Sequence, residues 1–226
     1  MIHVVAGVVI DAQERVLIAQ RPAGKHLAGA WEFPGGKLEP GEARVAGLAR
    51  ELREEIGIEI GLPRPLIRLR HTYPYGEVLL DVWVIRRYSG SPRGLDGQQL
   101  CWCGQDELAA ADLLPADRPI VAALRLPERL TQTSSPYYEV SDQKADRSGR
   151  RRPTAEGRLF GVSCASAVDG GLAVGRGADF IVMRCELTAD ALLGLCSSLA
   201  IPVYARAVPL ETAWALGASG VNEITW

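Results

Sequence analysis

Three carboxylates stand at helical spacing in the segment 35–58, which reads GGKLEPGEARVAGLARELREEIGI. Glu51 and Glu54 are i,i+3, and Glu51 and Glu55 are i,i+4, so all three reach one side of a helix. Each like-charged pair weakens a helix by roughly 0.2–0.5 kcal/mol. A helix built only for stability would mix signs there, so the group asks for a cation. Oxygen donors of this type suit magnesium, which keeps several waters and binds through a few carboxylates plus substrate phosphates. Manganese suits the same donors. Such an ion offsets the repulsion between polyphosphate and carboxylates, polarises phosphoryl oxygens and lowers the pKa of a bound water. The pair Gly35-Gly36, lacking side chains, lets backbone approach the same place. Taken alone, Glu-Leu-x-Glu-Glu also reads as a solvated acidic face.

The helix that must carry these groups is expected over 42–56. At about 100° per residue, Val45, Leu48, Ala49, Leu52 and Ile56 form one stripe, expected to face a core. The glutamates fall on another arc, beside Arg44 and Gly47. Pro40-Gly41 turns the chain into the helix and Gly57 stops it. Before it, strands are expected over 3–10 and 16–20. A loop follows over 21–30, broken by Pro22, Gly24 and Gly29. A short strand over 31–33 runs into Pro34-Gly35-Gly36. After the helix, strands are expected over 66–72 and 78–88, joined by the aromatic turn Tyr73-Pro74-Tyr75-Gly76. A strand over 100–103 and helices over 106–111 and 118–126 complete this half. Asp117 can cap the last helix, with Pro119 in its first turn.

The spacing Gly36-x5-Glu42-x7-Arg50-Glu51-Leu52-x-Glu54-Glu55-x-Gly57-Ile58 fills every fixed position of the Nudix box. The chain therefore resembles the Nudix hydrolases over residues 1–128, within them the MutT-like branch. The resemblance implies an α/β fold, an α/β/α sandwich. It implies a magnesium site formed by the Gly35 carbonyl with Glu51, Glu54 and Glu55, and Arg50 as an orienting ion-pair partner. The implied reaction is water attack at the β-phosphorus of a nucleoside triphosphate, giving monophosphate and pyrophosphate. For 8-oxo-dGTP this is nucleotide-pool sanitation, a form of DNA repair. MutT-like enzymes carry a further carboxylate before the late strand. Asp96 stands there, one methylene shorter than their Glu, as a metal ligand or base. Glu51 is the first choice of general base and Asp96 the second.

The resemblance also places nucleotide contacts at Arg21 and His26, and at Glu32, Phe33, Pro34 and Gly35. A fixed Arg fork suits phosphate or base; His26 reads equally as an exposed loop residue. Asp117 occupies the place of Asn in the branch's Pro-Ala-Asn-x-Pro pattern. An ionised Asp accepts but cannot donate. It can receive hydrogen bonds from guanine's ring N–H and amino group, or serve only as a helix cap.

The 226 residues carry a formal net charge of −2, 47% hydrophobic and 23% charged residues. That balance supplies no field drawing the chain to nucleic acid or membrane. The apolar start meets Asp11 too early for a signal peptide or spanning segment and lacks a basic leader, so a cytoplasmic protein is expected. Five cysteines without a CxxC and three histidines argue against zinc and against a disulfide framework. Cys101 and Cys103 share one strand face and read as reduced core thiols or as a metal-binding pair.

Residues 129–135 read as a linker and 136–226 as a second domain. Arg150-Arg151-Arg152 reads as a solvated loop. From Leu159 strands and helices alternate: strands over 159–163, 179–183, 202–206 and 220–224, helices over 166–176, 188–199 and 209–217. That order implies parallel pairing with right-handed crossovers. Gly161-Val162-Ser163-Cys164, Gly177-Ala178-Asp179-Phe180, Ile201-Pro202-Val203-Tyr204-Ala205 and Gly217-Ala218-Ser219-Gly220-Val221 resemble the C-terminal half of thiamine-phosphate synthase. Tyr138-Glu139-Val140-Ser141-Asp142 looks like that family's first strand. About five strands remain where a closed barrel needs eight. Ala205-Arg206-Ala207 replaces that family's phosphate-binding glycines, so synthase activity is not expected. Open sheet edges must be covered or paired, which leads to the expectation of a homodimer through this half-barrel. Besides nucleotide hydrolysis, two readings stand: hydrolysis of thiamine-pathway or other damaged pyrophosphates, and a nucleotide-sensing regulatory module.

Overall fold

The computed structural model describes residues 1–141, 158–175 and 177–224; the Arg150–Arg152 triplet lies outside them. The described chain groups into two compact units. One is Met1–Pro65 with Thr72–Val121; the other is Leu66–His71 with Ala122–Trp226. Among the described residues no helix is long and apolar enough to cross a membrane.

In the first unit, β1 (Ile2–Val9) is the hub. It pairs antiparallel with β4 (Gly35–Lys37), in register Val5↔Gly36 and Ala6↔Gly35, and parallel with β7 (Gly76–Ile85). With β6 (Arg64–Tyr73), of which only the ends belong to this unit, these make a sheet of order β4-β1-β7-β6. A second sheet runs β3-β2-β9 (Trp31–Glu32, Val16–Gln20, Leu100–Cys103), all antiparallel. β5 (Glu59–Ile60) pairs with β8 (Tyr88–Ser89).

The helix α1 (Arg44–Ile56) starts two residues later than the spacing predicts. Its i,i+4,i+8 stripe Leu48, Leu52 and Ile56 is fully buried against Val5, Val9, Leu17, Trp83 and Ile85. Each such side chain contributes about 1.5–3 kcal/mol of burial. Val45, expected in that stripe, is 39% exposed. It lies in the first turn, before the helix has met the sheet. Gly7 lets the helix close: a Cβ there would sit 2.7 Å from Ile85 Cδ1 and 2.9 Å from Leu52 Cδ1. Gly57 ends α1 in the left-handed region (φ 70°), returning its N–H to Arg53 O. The helices α2 (Gln105–Ala110) and α3 (Arg118–Arg125) follow β9.

The second unit contains one six-stranded sheet. Its order is β10 (Arg129–Leu130), β15 (Gly220–Asn222), β14 (Val203–Arg206), β13 (Phe180–Met183), β12 (Leu159–Cys164) and β11 (Tyr138–Ser141). Every pair is parallel. The sequence led to about five strands. The sixth is Arg129–Leu130, at the start of the stretch read as linker; two residues carry too little alternation to announce a strand. Between the strands run α4 (Ala167–Gly175), α5 (Ala189–Cys196) and α6 (Leu210–Ala215). One sheet face packs Ile181, Met183 and Val203 on Leu192, Leu195 and Ala213. The other gathers Phe180, Val182 and Tyr204 with Leu130, Tyr138 and Ile224. Burial on both faces is what a parallel sheet requires.

Candidate functional site

The site is assembled where β4 lies against α1. Gly35 takes φ +154°, and a Cβ on it would collide with Val5 O. Only glycine lets the backbone pass there. At Gly36 a Cβ would fall on the Glu51 carboxylate, so main chain and carboxylate lie in direct contact. The Gly35 N–H donates to Glu55 Oε2 (2.8 Å). Glu51 and Glu55, one turn apart, are thus set against consecutive glycines.

Arg50 holds the outer side. Its guanidinium donates to both oxygens of Glu42 (3.0 and 2.9 Å), to Glu51 Oε1 (2.9 Å), to Glu54 Oε2 (3.2 Å) and to Lys37 O (3.1 Å). The Arg50 fork and the Glu39 N–H hold the Glu42 carboxyl down at about 2. Burial pushes Glu55 up to about 7, resisted by the Gly35 N–H and aided by the charges of Glu32 and Glu51. One guanidinium therefore acts as the counter-charge for three glutamates.

Among the described residues no three acidic, thiol or imidazole groups already stand together as a cation cage. Glu54 is the reason on the outer side: its side chain is 61% exposed and turned to Arg50. An exposed i,i+4 pair of that kind is worth only about 0.3–0.5 kcal/mol, so its release costs little. The donors nevertheless fit a hard divalent ion. They are carboxylate and main-chain oxygens, and the Gly36 cradle admits nothing larger than hydrogen beside Glu51.

Asp96 stands exposed on the loop before β9. Its N–H is taken by Gln98 Oε1 (2.9 Å), and among the described residues no hydrogen bond or ion pair ties its carboxylate to the glutamates. The buried Gln98 also donates to Glu55 O (2.9 Å), clamping this loop to the end of α1. Sequence reasoning passed over Gln98. Its signal was a polar residue at the end of a Gly-punctuated loop.

A second cluster forms on the loop side. Arg21 pairs with Glu32 and donates through Nε to His26 O (2.8 Å). Burial raises the Glu32 carboxyl, against the opposing charge of Arg21. His26 meets Tyr75 edge-on (4.9 Å between centroids), and Tyr75 stacks on Tyr73 (5.0 Å). Pro34 O accepts the Gly7 N–H (2.8 Å), fixing the turn into β4. Phe33 is buried, and its N–H donates to Asp117 Oδ2 (3.2 Å). Asp117 is 5% exposed. Burial pushes its carboxyl up to about 8, against the Phe33 hydrogen bond. The structure thus brings Arg21, Glu32, Phe33 and Asp117 into one linked group. Glu51, Glu55 and Gly35 form another, and Asp96 belongs to neither.

A family model described as the NUDIX domain matches residues 5–123. A CTP pyrophosphohydrolase of Escherichia coli is 38% identical over 123 residues, 54% of this chain and 90% of that protein. An 8-oxo-dGTP diphosphatase of the same organism is 33% identical over 124 residues, 55% of this chain and 96% of its own length. The solution structure of the E. coli ORF135 protein superposes with a TM-score of 0.50 at 37% identity, over 55% of this chain and 88% of that one.

Proposed function

The chain belongs to the NUDIX domain family, and on that footing we propose that it hydrolyses 8-oxo-dGTP to 8-oxo-dGMP and pyrophosphate with a divalent metal, magnesium first. It is a hydrolase of phosphoanhydride bonds. The observation that carries the choice of base is Asp117. Burial pushes its carboxyl up to about 8, and in the protonated form it offers one donor and one acceptor. That is the hydrogen-bonding complement of the asparagine it replaces. 8-Oxoguanine presents O6 beside N7–H, an acceptor beside a donor, on the edge where guanine has two acceptors; guanine offers that pairing only at O6 and N1–H.

The metal would be held by Glu51, Glu54, Glu55 and the Gly35 main chain, with Asp96 joining from its loop. When bound it would neutralise phosphate charge and lower the pKa of the attacking water. The chain's own groups do the rest. Arg50, hydrogen-bonded to Glu42, Glu51 and Glu54, would hold them in place. Glu51, whose carboxylate lies against Gly36, would take the water's proton. Arg21 and the Glu32-to-Phe33 backbone border the nucleoside.

A second reading rests on the same carboxyl. Cytosine's N3 and amino group also pair an acceptor with a donor, and one relative at 38% identity is a CTP pyrophosphohydrolase. Pyrophosphate release from 8-oxo-dGTP, dGTP, CTP and dCTP, with and without magnesium, separates the two. Preference for CTP selects the second reading. Hydrolysis of none of them removes both and leaves a sensing role. For the second unit we propose pairing through an open sheet edge, β10 or β11, to give a homodimer in the cytoplasm. A monomeric mass by light scattering at high concentration removes that proposal.

A further inference from the structure

Two thiols of the first unit have no part in this chemistry. Cys101 and Cys103 lie on β9, which stands at the edge of its sheet beside β2. Residues two apart on a strand share a face, and here the two Sγ atoms are 3.5 Å apart. Cys103 is buried and Cys101 is partly exposed, so the pair opens to solvent on one side only. Trp102 between them projects to the opposite face, where Arg15 lies over its ring at 5.9 Å.

We propose that Cys101 and Cys103 form a two-thiol chelating site for a single thiophilic centre with a bent S–X–S angle, a trivalent arsenical or a cation of the zinc type. The separation selects this chemistry. With sulfur–metal bonds of about 2.3 Å, a 3.5 Å bite corresponds to an angle of about 100°, near that of a tetrahedral or pyramidal centre. The sulfurs need not move. A disulfide would require them to close to about 2.05 Å, across strand residues whose Cα spacing lies near the upper limit of about 6.8 Å that a disulfide tolerates. A linear two-coordinate ion needs a wider span. The carboxylate of Glu107 lies on the same side: it caps α2 through Gly104 N–H (2.7 Å), and its charge bears on Cys103. It adds attraction for a cation.

The covalent step balances without a redox partner. An organoarsenic(III) oxide, R–As=O, reacts with the two S–H groups to form two As–S bonds. Both thiol protons leave with the oxygen as water, and arsenic stays trivalent. A divalent cation instead displaces the two protons into solution.

The test uses the full reduced chain with one equivalent of phenylarsine oxide, followed by intact-mass measurement and peptide mapping. The expected product is a one-to-one adduct bridging Cys101 and Cys103. It resists excess monothiol, because the second thiol acts intramolecularly, on the order of 10²-fold or more; a dithiol such as 2,3-dimercaptopropanol removes it. Cys101→Ser and Cys103→Ser each lose the resistant adduct, while Cys164→Ser and Cys196→Ser keep it. Cadmium, titrated in parallel through its thiolate-to-metal absorption, tests the cation arm. A resistant adduct that maps to other cysteines, or one that survives in Cys101→Ser, overturns the proposal. If Cys103→Ser fails to fold, the map on the unsubstituted chain and the partly exposed Cys101→Ser still decide.

Discussion

Among the described residues, the carboxyls raised by burial all lie in the first unit. In the second, several polar side chains at the sheet's carboxyl edge are returned to main chain, while the buried Ser219 Oγ has no hydrogen-bond partner among the described residues. Asn222 donates to Met183 O (2.8 Å) and accepts from Ile224 N–H (2.9 Å), and Arg206 donates to Ile224 O (2.9 Å). Tyr204 Oη, among Phe180 and Tyr138, donates to Pro127 O (2.6 Å). Those bonds close the structure upon itself. In the first unit the buried Gln98 and Asp81 are hydrogen-bonded, whereas the carboxyls of Glu32, Glu55 and Asp117 are raised by burial. They cost stability where they stand, and such cost is concentrated where chemistry is done. The contrast teaches that carboxyls raised by burial, not buried polarity as such, mark the site.

The largest test of that contrast is Glu51→Gln. It removes the base pressed on Gly36 without changing volume, and kcat should fall about 10²–10⁴-fold. Arg206→Ala, at the carboxyl edge of the other sheet, should leave turnover unchanged. Steady-state rates on the best nucleotide of the screen check both. Equal losses in the two variants would break the distinction. Gly36→Ala should follow Glu51→Gln closely, because the new methyl displaces the Glu51 carboxylate.

Asp117→Asn sharpens it next, through pH. Burial pushes the native carboxyl from its ordinary 3.8 up to about 8, so between those values the folded state binds more protons than the unfolded one. The raised group therefore favours folding most at low pH, and that advantage is lost as pH rises through the window. The Asn variant lacks this loss. Its stability relative to the parent should rise with pH by up to about 1.4 kcal/mol per unit. Denaturant unfolding at pH 5, 6.5 and 8 measures it; parallel curves would mean that Asp117 is ionised in the fold. At neutral pH the variant should keep the parent's ratio of 8-oxo-dGTP to dGTP hydrolysis. Above pH 8 it should exceed it.

What the sequence made legible follows from the range of the interactions. The α1 stripe and its Gly57 stop depend on neighbours within four residues, and the helix appears within two residues of its expected start. The strand–helix alternation of the second half was legible for the same reason. Arg129–Leu130 was not, because a two-residue strand exists only through its partner β15. At the site, the glutamate spacing is local and could be read. Three facts could not. The raised carboxyl of Asp117 comes from burial, and its main-chain partner Phe33 lies 84 residues away in sequence. The Gln98 clamp joins residues 43 apart. The sharing of Arg50 among Glu42, Glu51 and Glu54 is a matter of side-chain direction. Val45 shows the converse error: a correct helical phase does not say where along its length a helix meets the sheet.

The smallest expected effect concerns helix α4 of the second unit. Gly171 lies inside α4, and a Cβ there meets nothing within 4 Å. Its neighbours on the helix, Val168 and Leu172, are 73% and 52% exposed. Alanine is favoured over glycine in a helix interior by about 0.8–1.0 kcal/mol. Gly171→Ala should therefore raise Tm by about 2–4 °C and leave kcat untouched. Gly36→Ala, the same chemical change, should do the reverse in rate. Thermal unfolding at several protein concentrations makes the measurement discriminating. A fall in Tm that deepens with concentration would show a second copy seated on α4, since ligation of the folded state by its own kind shifts stability by mass action. The free face of α4 would then be an interface, and the homodimer would be held by a helix, not by a sheet edge.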